Sequence, residues 1–151
     1  MEKLNIFMVL AEDELIFKEL FRRALRKLNI GTDRLMHFKM AHACIEYIES
    51  KDIEECIAFI DINFDNSEKD GFDILQSFKE NLDASSHKVK KIVVSTDASK
   101  VSIEKAKNLG AHAYLVKEVG RNIDPFIKRL DRCLNEIVFV KEPKTFTVYD
   151  N

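Results

Sequence analysis

Cys56-Ile-Ala-Phe-Ile-Asp61 is a run of apolar residues that stops on a carboxylate. A short stretch that is apolar at every position, with no polar alternation, fits a strand buried on both faces, and such strands belong to parallel sheets covered on each side by helices. The chain repeats this pattern in both directions. Upstream, Ile6-Phe-Met-Val-Leu-Ala11 is a second such run, closed by Glu12, Asp13 and Glu14. The period then changes, with Phe17, Leu20, Phe21, Ala24 and Leu28 recurring at intervals of three and four, an amphipathic helix that Gly31 is expected to close. Residues 35–40 read as a strand and 43–50 as a short helix. Downstream of Asp61 come a polar loop, a helix with Phe72, Leu75 and Phe78 on one face, and a strand over 91–95. A helix over about 99–109 follows, ended by Gly110, and then a strand over 113–116. The last helix is predicted to start at Asp124 as N-cap with Pro125 in its first position. It carries Phe126, Ile127, Leu130, Cys133, Leu134 and Ile137 on one face and ends near 138–140.

Five strands alternating with five helices predict an α/β fold, a parallel sheet with helices on both faces, because a parallel crossover must be long and right-handed. Its length of 151 residues suits one domain, drawn at 1–140, with 141–151 as a C-terminal tail containing Pro143 and Thr145-Phe-Thr-Val-Tyr149. That leaves no room for a second folded output domain. With 46% hydrophobic and 33% charged residues and a net charge of -2, the composition is that of a soluble globular protein with no bulk attraction to nucleic acid or anionic membrane. The basic stretch Arg22, Arg23, Arg26 and Lys27 reads as a solvated helix face. No run reaches the ~18 apolar residues of a membrane span, and the first residues lack a signal-peptide layout. Cys44, Cys56 and Cys133 are odd in number, far apart and without a CxxC pair, which argues against disulfides and zinc and for buried thiols in a reducing cytoplasm. His37, His42, His87 and His112 show no metal-ligand spacing.

Ligands of open parallel sheets bind outside the carboxyl ends of the strands. At those ends this chain places Glu12 and Asp13, Asp61, Ser95 and Lys117. Each has an ordinary alternative: the acids suit a helix N-terminus, Asp61 a turn, Ser95-Thr96 a cap and Lys117 a solvated strand end. Their convergence on one rim is harder to explain that way. Three carboxylates close together would repel unless a hard cation sits among them, and an oxygen-only site suits Mg²⁺ and disfavours zinc.

At these residues the chain resembles the receiver domains of two-component response regulators. Val-Leu-Ala-Glu-Asp-Glu resembles the family's acidic pair, Phe-Ile-Asp-Ile-Asn its phosphoacceptor motif, and Ile-Val-Val-Ser-Thr-Asp-Ala its switch hydroxyl. Leu-Gly-Ala-His-Ala-Tyr-Leu-Val-Lys resembles the segment bearing its aromatic switch and its lysine, and the likeness spans residues 3–139. It implies a doubly wound, CheY-like sheet of five strands in the order 2-1-3-4-5. It implies Asp61 as the phosphoryl acceptor, forming an aspartyl phosphate. Asp13 and Asp61 would be direct Mg²⁺ ligands, with Glu12 acting mainly through water and the main-chain carbonyl of Asn63 as a further ligand. Ser95 and Lys117 would be catalytic, with Ser95 and Tyr114 as the switch pair; Tyr114 is expected to turn from solvent into the space behind Ser95. The implied partners are a sensor histidine kinase or histidine phosphotransfer protein and a downstream protein target, with room for a homodimer and with no direct nucleic acid or membrane insertion. Such a stand-alone receiver is a signalling phosphoacceptor rather than an enzyme.

The chain departs from the family's pattern in three places. The loop after Asp61 lacks the usual proline, reaches Asp70-Gly71 about two residues late, and adds Asp65, Glu68 and Asp70. Lys117 is followed by Glu118 instead of proline, so the usual cis peptide is not expected. The hydroxyl is Ser95 in place of the commoner threonine. Competing readings are a phosphorylation-independent interaction module and, in another class, a Mg²⁺-dependent phosphatase of the haloacid-dehalogenase type. The latter resemblance calls for a second aspartate two residues after the nucleophile, where this chain has Asn63.

Overall fold

Val9, Ala58, Val93 and Tyr114 face one side of the sheet, and Leu10, Phe59, Val94 and Leu115 the other, so strand alternation sorts the apolar residues into two cores. The computed structural model describes residues 6–50, 53–64, 68–82, 89–118 and 120–151; Asp65 of the loop after Asp61 and His87 lie outside them. In chain order the elements are β1 (Met8–Ala11), α1 (Leu15–Lys27), β2 (Leu35–Phe38), α2 (Ala41–Glu49), β3 (Cys56–Ile60) and α3 (Gly71–Asn81). They continue with β4 (Val89–Ser95), α4 (Lys100–Asn108), β5 (Ala113–Val116), α5 (Asp124–Cys133), a π-helical turn (Leu134–Val138) and β6 (Thr147–Tyr149). All strand pairs are parallel, in the order β2-β1-β3-β4-β5-β6. The predicted doubly wound order is therefore present, extended by one strand.

α1 and α5 close one face, where Phe21 meets Phe59 at 4.7 Å between ring centroids and Phe17 meets Phe126 at 5.6 Å, both edge-on. On the other face α2, α3 and α4 supply Cys44, Ile48, Ile74, Leu75, Phe78 and Ala106. Cys44, Cys56 and Cys133 are buried free thiols, and burial pushes Cys44 and Cys133 up to about 12. No helix among the described residues is long and apolar enough to cross a membrane.

Apart from shifts of about two residues in β2, α2 and β4, three differences from the sequence reading have a physical cause in view. α1 is closed by Asn29 rather than Gly31. Asn29 takes φ 60, its N–H bonds the Arg26 carbonyl and the Ile30 N–H bonds the Leu25 carbonyl, which satisfies the last turn as a left-handed glycine would. Gly110, φ 90, closes α4 in the same way, as predicted. The cap of α5 is Ile123, with Asp124 already inside the first turn; Asp124 there complements the helix dipole, and its backbone N–H donates to the Asn122 side-chain oxygen at 3.0 Å. The third difference lies in the tail. Its Thr-Phe-Thr-Val-Tyr segment adds β6 to the β5 edge, pairing Tyr114 with Val148 and Leu115 with Tyr149. Tyr149 is buried against the α5 side and donates its hydroxyl to Glu136 at 2.8 Å, while Lys144 pairs with the same carboxylate at 2.8 Å.

Candidate functional site

Register builds the site. Ala11 is level with Ile60, so the residues that follow, Glu12 and Asp61, leave the sheet side by side, and the Asp61 N–H bonds the Ala11 carbonyl at 3.0 Å. Ser95 is level with Val116, and the next N–H, that of Lys117, bonds the Ser95 carbonyl at 2.7 Å. The same rim therefore carries Glu12, Asp61, Ser95 and Lys117, all buried, as the strand-end reading predicts.

Lys117 is the hub. Its ammonium lies 2.5 Å from Glu12 Oε1, 3.3 Å from Asp61 Oδ2 and 3.6 Å from Glu14 Oε1, and it sits 4.3 Å from the centre of the Phe17 ring. Burial opposes its charge, but the bond to Glu12 and the charges of Asp61, Glu12 and Glu14 outweigh this and hold its pKa above the ordinary lysine value. Glu12 is pushed up to about 8, first by burial and then by the Asp61 charge, against the lowering effect of Lys117. Asp61 is likewise raised, mainly by burial, while Lys117 and the Asn63 N–H pull it down. That N–H lies 3.1 Å from Asp61 Oδ1, with Asn63 itself exposed at the start of the loop.

Asp13 is half-buried and Glu14 exposed, and one oxygen from each, together with one from Glu12 and one from Asp61, lie within 4.8 Å of one another. One lysine cannot neutralise four carboxylates. An all-oxygen donor set with excess negative charge fits a hard divalent cation. Glu14 is the member that the sequence reading did not include, although it is the third acid of the quoted run. Glu12 contacts Lys117 directly, and its carbonyl lies 2.7 Å from His37 Nε2.

Gly71 places α3 against the backbone of Asp61 and Ile62. A Cβ at this position would come within 2.5 Å of the Ile62 Cα and closer still to the Asp61 carbonyl oxygen, so only glycine allows the approach. Asp70 caps α3 by accepting from the Phe72 and Asp73 N–H groups, while the Asp73 carboxylate accepts from the Asp70 N–H. The loop after Asp61 thus leads into a well-formed helix start. No cis peptide bond occurs among the described residues, in keeping with Glu118 after Lys117.

Tyr114 departs from expectation. Its ring is fully buried and its hydroxyl donates to the Asp97 carbonyl in the loop between β4 and α4, so it already occupies the inward position that it was expected to reach by rotation. The reason is β6: Val148 lies beside Tyr114 in the sheet, and Phe146 packs on the same core. Ser95 is buried too, its Oγ accepting from the Asp97 N–H at 3.1 Å. Arg129 on α5 is a further buried residue absent from the sequence reading; it bonds the Val116 and Glu118 carbonyls. Its signal was present as an arginine three residues after Phe126 and one before Leu130, on an otherwise apolar helix face.

Solved structures share this architecture at low sequence identity. A response regulator receiver domain from Rhodospirillum rubrum aligns with a TM-score of 0.73 at 20% identity, over 93% of this chain and 99% of that one. The Mn²⁺-bound form of response regulator Rcp1 aligns with a TM-score of 0.70 at 16% identity, over 93% and 98%. The isolated receiver domain of RcsB from Salmonella enterica serovar Typhimurium, in the presence of the phosphomimetic BeF3-, aligns at 0.66 and 16% identity, over 95% and 94%. Among curated proteins, none matches the chain. The family model for the response regulator receiver domain matches residues 8–124, from the first residue of β1 to the first of α5. With that match over most of its length, its sheet order and its acid-and-lysine rim, the chain belongs to the response regulator receiver domain family.

Proposed function

We propose that the chain accepts a phosphoryl group on Asp61 from a histidine kinase or histidine phosphotransfer protein, in a Mg²⁺-dependent reaction, and signals to a protein partner. The observation that carries this reading is the Asp61 carboxylate, buried at the end of β3, 3.3 Å from the Lys117 ammonium and within the oxygen cluster of Glu12, Asp13 and Glu14. Asp61 and Asp13 would hold the ion directly, with the Asn63 carbonyl and, nearby, Glu12. Once bound, Mg²⁺ supplies neutralisation of the phosphoryl oxygens, the main requirement of phosphoryl transfer. A solved response regulator of the same fold carries Mn²⁺, in keeping with a divalent site.

The chain's own residues do the rest. An Asp61 oxygen attacks phosphorus as the donor's P–N bond breaks, and the nitrogen leaves with its electron pair and takes up a proton. Lys117 balances the charge that gathers on the transferred group. Ser95 can donate its hydroxyl to a phosphoryl oxygen, a contact that the free carboxylate does not offer, and this supplies the unequal interaction that a switch needs. A cytoplasmic home and the possibility of pairing between copies follow from the same family reading.

The test is incubation with acetyl phosphate and Mg²⁺, followed by intact mass. One labile phosphoryl adduct is expected, absent from Asp61→Asn; unchanged labelling of that variant would move the acceptor elsewhere. A second reading, a phosphorylation-independent docking module, has one observation in its favour, the inward Tyr114 held behind β6. Absence of any adduct in the unmodified chain would favour it.

A further inference from the structure

The buried charged side chains among the described residues are Glu12, Asp61, Lys117 and Arg129. The first three meet at the strand ends, whereas Arg129, 5% exposed, reaches them only through backbone. Its Nε donates to the Val116 carbonyl at 3.2 Å and its Nη2 to the Glu118 carbonyl at 2.6 Å. One planar guanidinium therefore grips the chain immediately before and immediately after Lys117, while the Lys117 N–H is fixed on the Ser95 carbonyl. Position 118 is glutamate, so no proline ring restrains the backbone there. We infer that Arg129 is a positioning residue for Lys117, setting the backbone from which the ammonium reaches Glu12 and Asp61.

An anchoring role for α5 alone does not account for this arrangement. Phe126, Leu130, Cys133 and Leu134 already bury that helix, and an apolar side chain at 129 would add to the anchor without the desolvation that a buried guanidinium incurs. The donors are instead spent on two carbonyls that flank a single functional residue. Arginine suits this because its donors form a rigid fork, so holding one carbonyl orients the other. Lys117 is long and flexible, and its aim depends on the direction in which its Cα presents the side chain.

The inference rests on the phosphoacceptor reading, and its test separates the two. Labelling rates with acetyl phosphate at saturating Mg²⁺ would be compared for the unmodified chain, Arg129→Met, Arg129→Lys, Lys117→Ala and the double variant Lys117→Ala/Arg129→Met. Arg129→Met is expected to label about 10-fold more slowly or worse, since misplacing a catalytic group by about 1 Å costs up to ~100-fold. Its Mg²⁺ affinity should not fall, since a displaced ammonium leaves more negative charge for the ion, and Arg129→Lys should recover part of the rate. Adding Arg129→Met to Lys117→Ala should cost nothing further, because no ammonium remains to be aimed. An equal loss in both backgrounds would make Arg129 merely structural and overturn the inference, as would an unaffected rate in Arg129→Met. Independently of phosphorylation, the Lys117 ammonium should give a slowly exchanging NMR signal that broadens in Arg129→Met, or in Arg129→Lys if the methionine variant does not fold, while core amides stay protected. If the unmodified chain takes no label, the phosphoacceptor reading fails and this signal alone decides the clamp; its persistence in the variants would sink it.

Discussion

At the scale of single residues, the buried acids make the site a source of pH-dependent strain. Glu12 has a pKa of about 8 in the fold against an ordinary 4.5, so between these values the folded chain holds a proton that the unfolded chain releases. Its contribution to stability is full below pH 4.5 and is lost as pH rises toward 8. His37 acts in the opposite sense at the acid end, since burial holds its ring below the ordinary range and its neutral form is the one that fits. Urea midpoints of metal-free protein measured across this window should fall less steeply with rising pH in Glu12→Gln than in the unmodified chain; parallel profiles would show that Glu12 is not the group responsible. Asp13 is the complementary probe, because on the proposed reading its loss removes one oxygen ligand of the ion. Asp13→Ala should weaken Mg²⁺ binding by at least about tenfold in calorimetric titration. Gly71 tests geometry rather than charge. Gly71→Ala should destabilise by about 1–3 kcal/mol, as overpacked sites do, and should also slow labelling of Asp61, whose backbone is what the added methyl strikes.

Among the elements, β6 carries the most consequence. It covers the β5 edge, buries Tyr149 and ties the chain back to Glu136 through Tyr149 and Lys144. Tyr149→Ala is therefore expected to cost about 3 kcal/mol in chemical unfolding, the usual loss for deleting a buried aromatic. A loss within error of zero would show that the strand is not docked in solution. β1 and β3 were legible because each is an uninterrupted apolar run ending on acids, and α4 because Gly110 marks its stop. β6 was not, since three residues after a proline carry too little pattern to outweigh a terminal segment, and its partner is chosen by an open edge that no local rule reveals. The close of α1 was misplaced because asparagine can take the left-handed place of glycine, so a later glycine drew the assignment. Arg129 was passed over because an arginine on an apolar face looks like the helix rim until the carbonyls that it meets are known.

For the molecule as a whole, Tyr114 and the sheet are one system. The sequence placed Tyr114 on the right strand but on the solvent side, because its burial is decided by residues 146–148, far along the chain. With the ring already inward, the proposed phosphorylation of Asp61 would have no rotation left to drive unless β6 yields first. Tyr114→Phe should then cost about 1 kcal/mol for the lost bond to the Asp97 carbonyl, and should speed amide exchange between β4 and α4; unaltered exchange there would show that the hydroxyl does not restrain that loop. The all-parallel sheet also has a bearing on how the chain reaches this state. No two neighbouring strands form a hairpin: Ile92 waits for Ala113, Ala113 for Thr147, and Met8 for Ile57. Each pairing closes a long loop before any ladder bond is made, which places refolding in the slow range, about milliseconds to seconds, with apolar strands bare in the interval. Since β6 can dock only on a finished β5, the last event of folding would be the one that seals Tyr114, and a late fluorescence phase in stopped-flow refolding should report it.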